Sequence, residues 1–198
     1  AYSQAVLVAA AGNDGIPNQN CPPFPGDAQY PAAHPWVVGV MAGKPHPTIS
    51  DQLERAKFSN WECKTKNGVE YELLAPGTGI WSTLPDNSYS SWSGTSMAAP
   101  VVAGISALVR TKYPDKSVYS SRFIMGQLVA TNGDPGQSGV DSNAFKAVSI
   151  TPKPDLSYEE HWIFDSTDRS ILNDDDGRAD AGETIELAVT IRNRWGRG

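Results

Sequence analysis

A serine stands at the start of the most apolar helical segment in the chain. It lies in Ser93-Gly94-Thr95-Ser96-Met97-Ala98-Ala99-Pro100, and the segment that follows repeats apolar residues at every fourth position: Met97, Val101, Ile105 and Val109. The first backbone N–H groups of a helix lack intrahelical partners, and the helix dipole adds to their attraction for negative charge. Ser96 is therefore placed where a developing negative charge would be stabilised. On these residues alone, an ordinary N-cap serine before a core helix explains the pattern better.

The sequence around this serine resembles a known family signature. Gly94-Thr95-Ser96-Met97-Ala98-Ala99-Pro100 is similar to the nucleophile motif of the subtilisin-like serine peptidases, the subtilases, and residues 101–104 continue their pattern. Upstream, Val8-Ala9-Ala10-Ala11-Gly12-Asn13-Asp14-Gly15 resembles the segment that supplies the family's oxyanion-hole asparagine. Further landmarks follow in the family's order: Tyr30-Pro31-Ala32, Phe58-Ser59-Asn60 and Ala75-Pro76-Gly77. The resemblance covers about residues 5 to 130.

This resemblance implies the roles of two residues. Ser96 would be the nucleophile that attacks a peptide carbonyl. The side-chain amide of Asn13 and the backbone N–H of Ser96 would hold the oxyanion of the tetrahedral intermediate. An asparagine suits this role because its NH₂ group is a neutral donor. Asn13-Asp14-Gly15 is also a strong turn signal, and both roles can hold at one position.

The resemblance also implies a substrate-binding pocket. Ala10, Ala11 and Gly12 would line one wall of the pocket for the residue that precedes the scissile bond. Gln29, just before Tyr30-Pro31, would lie near the floor of that pocket and favour polar or medium-sized side chains.

The acid–base partners of a catalytic serine are absent from the sequence. Subtilases carry an Asp-Thr/Ser-Gly motif and a His-Gly-Thr-type motif upstream of the oxyanion asparagine, and this chain has neither. The three histidines, His34, His46 and His161, are not followed by glycine and are predicted to be loop or surface residues. We therefore expect the chain to lack the front of its catalytic domain and to have negligible peptidase activity alone. The missing front would then be its partner, together with protein or peptide substrates.

Two rival interpretations remain open at this stage. One is a related acid-active serine peptidase that uses Glu and Asp in place of His, although Met97-Ala98-Ala99-Pro100 argues against it. The other is a pseudoenzyme in which a subtilase scaffold serves only binding, although the presence of Ser96 and Asn13 argues against that.

The elements that must position these residues indicate an α/β fold with a parallel sheet. Apolar runs predict three buried strands, at Ala5–Ala10, Trp36–Met41 and Gly79–Thr83. The helix that begins near Ser96 is apolar nearly all round, which predicts a central, buried helix that Pro114 ends. A second helix is predicted over Ser117–Ala130. Strands alternating with helices are typical of layered α/β domains, and the resemblance implies the C-terminal portion of the three-layer subtilisin fold.

A proline-rich stretch, Ser149–Pro154, divides this domain, residues 1–150, from a second segment, residues 151–198. Strict alternation over Thr184–Arg192 predicts a half-buried strand of an antiparallel sheet. The segment from Asp155 onward resembles the start of β-sandwich modules appended to secreted bacterial enzymes. The carboxylates of Asp174–Glu183 could hold Ca²⁺, but their spacing does not fit an EF-hand loop and a solvated acidic turn is the alternative.

Composition and charge exclude several functions. The net charge is −6, and residues 151–198 carry 6 basic and 11 acidic side chains, a net of −5, so nucleic-acid binding is not expected. No apolar run reaches the roughly 20 residues of a membrane-spanning helix. Cys21 and Cys63 allow one disulfide or two unrelated thiols, and neither has zinc-ligand spacing. We expect an extracellular protein that needs no cofactor for its chemistry.

Overall fold

A four-stranded mixed sheet forms the centre of the catalytic-domain portion. The computed structural model describes residues 5–19, 21, 23–48, 52–63, 71–131, 142–151, 156–165 and 185–193. The sheet contains four strands: β1 (Leu7–Ala10), β2 (Val37–Pro45), β3 (Leu53–Arg55) and β4 (Leu73–Pro76). β2 pairs in parallel with β1 and with β4, and antiparallel with β3. Val40 has both Ala10 and Leu73 as partners, so β1 and β4 lie on opposite sides of β2.

In the described part of the chain, three α-helices follow the sheet: α1 (Thr95–Lys112), α2 (Ser121–Thr131) and α3 (Ala144–Ser149). α1 contacts β1, β2 and β4, and it also contacts α2 and α3. The alternation of side chains along β2 sends Val38, Val40 and Ala42 into one core, which is completed by fully buried residues of the helices: Ala98, Val102, Val109, Ile124 and Leu128. Burying such a Val, Leu or Ile side chain stabilises the fold by about 1.5–3 kcal/mol.

The opposite face of the sheet is covered by loops. Met41 and Leu74 point into a second, smaller apolar cluster with Ala11, Ala32 and Tyr71. Both faces of the sheet are therefore covered at the centre of β2, as the apolar run of residues 37–42 predicts.

Two of the three predicted strands are placed differently from the prediction. The run Ala5–Ala10 was expected to be fully buried, but β1 begins at Leu7, whose exposure is 50%, and the rest of β1 is half-buried. Within the described ranges β1 pairs only with β2, which leaves its other edge open. Gly79–Thr83 forms an exposed strand, β5 (Ile80–Thr83), in a separate antiparallel hairpin with β6 (Tyr89–Trp92). A short 3₁₀ turn at Pro85–Asn87 joins the two strands of this hairpin.

The expectation of a wholly buried α1 is also corrected. Only one face of α1 packs against the sheet, and the other face is exposed at Ala103, Gly104, Ala107 and Leu108. This outer face is uncharged, so composition alone could not distinguish it from a buried one. The helix over Ser117–Ala130 begins later than predicted because Asp115 accepts hydrogen bonds from the Ser117 N–H and hydroxyl, which forms a turn instead.

The second segment contains one antiparallel pair of strands, β7 (Leu156–Asp165) and β8 (Ile185–Asn193). This confirms the predicted antiparallel strand near the C-terminus, and Val189 on β8 is 47% exposed. The acidic stretch Asp174–Glu183 lies outside the described residues. None of the helices in the described ranges combines the length and the apolarity needed to cross a membrane.

Candidate active site

Ser96 lies in the first turn of α1, and its side of the helix is exposed. The carbonyl of Gly94 accepts the N–H groups of Met97 at 3.1 Å and Ala98 at 3.3 Å, which closes this turn. The N–H of Ser96 comes earlier, where an α-helix offers no internal acceptor, so it remains available to a ligand. Gly94 is itself linked to the sheet, because its N–H donates a 2.8 Å hydrogen bond to the carbonyl of Gly77, the residue after β4.

Asn13 follows β1 and points its side-chain oxygen at Thr95, the residue before Ser96. The Asn13 Oδ1 accepts hydrogen bonds from the Thr95 N–H at 2.9 Å and from the Thr95 hydroxyl at 3.0 Å. The Thr95 backbone N–H can only donate, which identifies the Asn13 atom that it meets as the oxygen. The Asn13 Nδ2 group is therefore directed away from Thr95 and remains a donor.

A small space beside Gly94 is bordered by both oxyanion donors predicted from the sequence. A Cβ built on Gly94 would lie 3.5 Å from Asn13 Nδ2 and 3.7 Å from Ser96 N. The sulfur of Met97, also at 3.5 Å, forms a third side of this space. Two N–H donors that converge on one point can hold a negatively charged oxygen, provided it approaches each to about 3 Å. The structure thus brings Ser96 and Asn13 together.

The predicted pocket residues are also neighbours, although they are not equally accessible. Gly12 has a φ of +101°, and a Cβ there would lie 3.4 Å from the Cγ of Gln29. Ala10 is half-buried at the end of β1, whereas Ala11 is fully buried and packs in the second cluster. Ala11 is therefore not accessible from the surface in this structure, whereas Ala10 is partly so. The N–H of Gln29 donates to the hydroxyl of the buried Tyr71 at 2.9 Å, which fixes the backbone of the predicted floor.

Within the described part of the chain, the hydroxyl of Ser96 has no hydrogen-bond partner that could act as its base. The Nδ1 atom of His34 accepts from the Trp36 N–H at 3.2 Å. The Nδ1 atom of His46 accepts in the same way from the Thr48 N–H at 3.3 Å. Both rings are engaged in exposed local turns, as expected for loop residues. His161 lies on β7, and its side chain is outside the described ranges.

The loop that carries Asn13 is joined along its length to the segment 57–63. Backbone hydrogen bonds run from Gly15 to Phe58, from Trp61 to Ile16 and from Asn18 to Trp61. A disulfide between Cys21 and Cys63 ends this pairing, which decides between the two alternatives that the sequence left open.

Arg55 reinforces the same segment from the sheet side. Its guanidinium donates to the Ser59 carbonyl at 2.8 Å and lies over the Trp61 ring. Burial lowers the pKa of Arg55, but an arginine side chain still remains charged at physiological pH.

Thr95 was not singled out from the sequence, although it belongs to the serine motif. It is fully buried, and its hydroxyl also accepts the Gly12 N–H at 3.2 Å. Its contacts lie 82 and 83 positions away in sequence, so no local pattern could reveal them. Among the described residues, no group of three or more His, Cys, Asp or Glu side chains could hold a metal ion.

Comparison with curated proteins finds subtilisins. The chain is 38% identical to subtilisin DY of Bacillus licheniformis over 133 residues, which cover 67% of this chain and 42% of that protein. It is 37% identical to a thermostable alkaline protease of Halalkalibacterium halodurans over 134 residues, covering 68% of this chain and 31% of that protein. The chain therefore spans less than half the length of these relatives.

Solved structures of proteases also superpose on this chain. The prenylagaramide maturation protease PagA superposes with a TM-score of 0.52 and 27% identity, covering 73% of this chain and 50% of that one. A serine mutant of the protease domain of PatA superposes with a TM-score of 0.54 and 27% identity, covering 72% of this chain and 46% of that one. The predicted α/β subtilisin-like fold is confirmed. A model of the subtilase family matches residues 1–146, and we conclude that the chain belongs to the subtilase family.

Proposed function

We propose that this chain provides the nucleophile and the oxyanion-binding half of a serine endopeptidase site. The observation that carries the proposal is the orientation of Asn13: its oxygen is occupied by Thr95, and its NH₂ group borders the same space as the N–H of Ser96. Membership of a family of serine peptidases supports this assignment.

In the proposed reaction the Ser96 oxygen attacks the carbonyl carbon of a peptide bond, and a general base takes the hydroxyl proton. The carbonyl oxygen becomes an oxyanion held by Asn13 Nδ2 and Ser96 N. Collapse of this intermediate breaks the C–N bond, and the amine leaves with the proton from the base. Water then releases the acyl group from Ser96 by the same steps, so no cofactor takes part.

Substrate selection in this proposal involves the neighbourhood of Gly12. A Cβ on Gly12 would contact the side chain of Gln29, and the half-buried Ala10 lies two residues before Gly12, whereas the buried Ala11 would contribute through its backbone. The amide of Gln29 would favour a polar or medium-sized side chain before the scissile bond. Peptides or proteins are the proposed substrates.

The general base and its carboxylate partner are proposed to come from a further part of the same catalytic domain. Three observations support this: the edge of β1 that has no partner strand among the described residues, the exposed apolar face of α1 with Leu108 at 53% exposure, and the small share of the relatives' length that the chain covers. An added layer on α1 and β1 would bury these surfaces. The chain by itself is then expected to be inactive.

We also propose that the protein acts outside the cell. The Cys21–Cys63 disulfide supports this location, since such bonds persist in oxidising compartments. Residues 151–198 are proposed to begin an accessory β-sandwich module, and calcium binding by Asp174–Glu183 is proposed only as a structural possibility to be tested by titration.

The test begins with the DNA upstream of the codon for Ala1. In-frame Asp-Thr/Ser-Gly and His-Gly-Thr-type motifs would support the proposal. The protein expressed from the complete reading frame should then cleave peptides, and Ser96→Ala should abolish the cleavage. An upstream sequence without both motifs, or activity that survives Ser96→Ala, would instead favour a non-catalytic binding role for the subtilase scaffold.

A further inference from the structure

Asn60 is a fully buried asparagine beneath the loop that carries Asn13. Its Oδ1 accepts the N–H groups of Asp14 at 2.8 Å and Ile16 at 3.2 Å. Its Nδ2 reaches the Asp14 carboxylate at 3.4 Å, and its own N–H donates to the Gly12 carbonyl at 2.9 Å. All four hydrogen bonds go to residues on either side of Asn13, and none goes to Asn13 itself.

The loop rests directly on the Asn60 amide. A Cβ on Gly12 would lie only 2.5 Å from Asn60 Nδ2, which is too close for two non-bonded atoms. The close contact between Gly12 and Asn60 Nδ2 limits how near the loop can come to Asn60, and the hydrogen bonds to Asp14 and Ile16 hold it there. Loss of Oδ1 would leave the N–H groups of Asp14 and Ile16 without acceptors, which favours rearrangement of the loop.

Asn60 is itself held to the sheet. The hydroxyl of Ser59 donates to the Asn60 carbonyl at 2.8 Å and accepts the N–H of Ala42 from β2 at 2.9 Å. Two supports thus act on Asn13 from different elements: Thr95 of α1 orients its side chain, and Asn60 places its backbone.

We propose that Asn60 is a positioning residue that sets the distance between Asn13 Nδ2 and the N–H of Ser96. This inference rests on the proposed peptidase function, because it assigns Asn60 a role that acts through the oxyanion donor. Asn60 does not touch the space beside Gly94, so it is not itself a catalytic residue.

The test uses Asn60→Leu in the protein expressed from its complete reading frame. Leucine keeps the branched shape but removes the Oδ1 acceptor of both N–H groups and the Nδ2 donor, and we expect kcat to fall about 10- to 100-fold with little change in KM. In an Asn13→Ala background the same substitution should change kcat less than threefold, because the donor through which Asn60 acts is already gone. Equal losses in both backgrounds would overturn the proposal.

Asn18→Leu is the matched control. Asn18 is also buried, but its side chain bonds Cys63 and Glu62 at the far end of the same pairing. Asn18→Leu should lower the stability of the fold but should leave kcat unchanged within about threefold in both the native and the Asn13→Ala backgrounds. Should Asn60→Leu fail to fold, the exchange Asn60→Asp with Asp14→Asn keeps the Oδ acceptors and the side-chain pair. That double variant should retain kcat within about threefold, and a loss as large as that of Asn13→Ala would contradict the role.

A second readout does not depend on catalysis. In Asn60→Leu the amide protons of Asp14 and Ile16 should exchange with solvent at least about tenfold faster, while those of α1 keep their protection. Unchanged exchange at both positions would refute the positioning role even in a protein without peptidase activity. Conversely, faster exchange in a protein whose cleavage is absent or independent of Ser96 would refute the peptidase function and leave the structural support by Asn60 intact.

Discussion

Asn13 and Thr95 are joined by two hydrogen bonds across 82 positions of sequence, and both bonds end on the same Asn13 oxygen. One bond comes from the backbone and the other from the hydroxyl. The arrangement turns the NH₂ group of Asn13 away from Thr95 and towards the space beside Gly94. The following predictions concern the protein expressed from its complete reading frame where activity is measured.

Replacing Thr95 by valine should loosen Asn13 without opening a cavity. The variant keeps the N–H bond but loses the hydroxyl donor and the acceptor for Gly12. A net hydrogen bond contributes about 0.5–1.5 kcal/mol, so kcat should fall roughly tenfold at most. Steady-state kinetics of Thr95→Val and Thr95→Ser would check this, since serine retains the hydroxyl. Equal losses in the two variants would contradict the role of the hydroxyl.

Replacing Asn13 by alanine should remove one oxyanion donor. The expected loss in kcat is about 10²–10³-fold, a magnitude measured on a subtilisin itself and adopted here rather than estimated independently. KM should change little, because the donor acts on charge that develops only in the transition state. A predominant effect on KM would point to ground-state binding instead.

Gly94→Ala should block the space between the two donors while leaving the fold intact. The φ of Gly94 is 163°, an extended conformation open to any residue, and the new methyl would make ordinary contacts of 3.5–3.7 Å. Cleavage should fall at least about tenfold, because the methyl stands where the oxyanion must approach. The melting temperature should remain unchanged. Unchanged cleavage in Gly94→Ala would contradict the role of the space beside Gly94.

Gly104→Ala should stabilise this chain on its own. Gly104 lies on the outer face of α1, where nothing lies within 4 Å of a built Cβ. Alanine in an exposed helix position stabilises the fold by about 0.5–1 kcal/mol relative to glycine. Denaturant unfolding of the isolated chain would check this, and a loss of stability would contradict the open space at this position.

Removing the disulfide should lower stability. The Cys21–Cys63 bond spans 42 residues, and loss of a native disulfide typically costs about 2–5 kcal/mol. Denaturant unfolding of the Cys21→Ser, Cys63→Ser double variant should show this decrease. Reductant should destabilise the native protein similarly and leave the variant unaffected, and any response of the variant would point to a different target.

The pair Lys44–Glu54, which joins β2 to β3, should give a small pH dependence of stability. The hydrogen bond from Lys44 holds the pKa of Glu54 below its ordinary value of 4.5. A lowered folded-state pKa stabilises the fold above the unfolded pKa, and this contribution is lost as the pH falls through the folded pKa. Thermal unfolding of Glu54→Gln should show a shallower decrease below about pH 4.5 than the native protein. Parallel curves would show that the exposed pair contributes nothing measurable.

The sequence predicted the elements whose signals are local. The serine motif located the start of α1 within two residues, and the apolar run from Trp36 located β2. The antiparallel strand β8 followed from strict alternation in the same way. Each of these elements is specified by neighbouring residues, so a single sequence is sufficient to find it.

Other features depended on partners distant in sequence. β4 was missed because Leu73–Pro76 is too short to show a period, and its burial comes from pairing with β2. Likewise, Gly79–Thr83 was assigned to the buried strands because its composition does not reveal that it pairs with Tyr89–Trp92 in an exposed hairpin. The support that Asn60 gives to the Asn13 loop spans 44 and 46 positions and has no local signature either.

The separation between Asn13 and Thr95 also bears on the order of folding. The hydrogen bonds within α1 join residues close in sequence, so the turn that carries Ser96 is locally specified. The Asn13–Thr95 contact joins residues that are far apart in sequence. It requires β1 to be paired with β2 and α1 to be packed against the sheet, and such non-local contacts form slowly. A partly folded chain would thus display a serine without an oxyanion hole. The two donors of the proposed oxyanion site therefore come together only once the tertiary structure of this domain is complete.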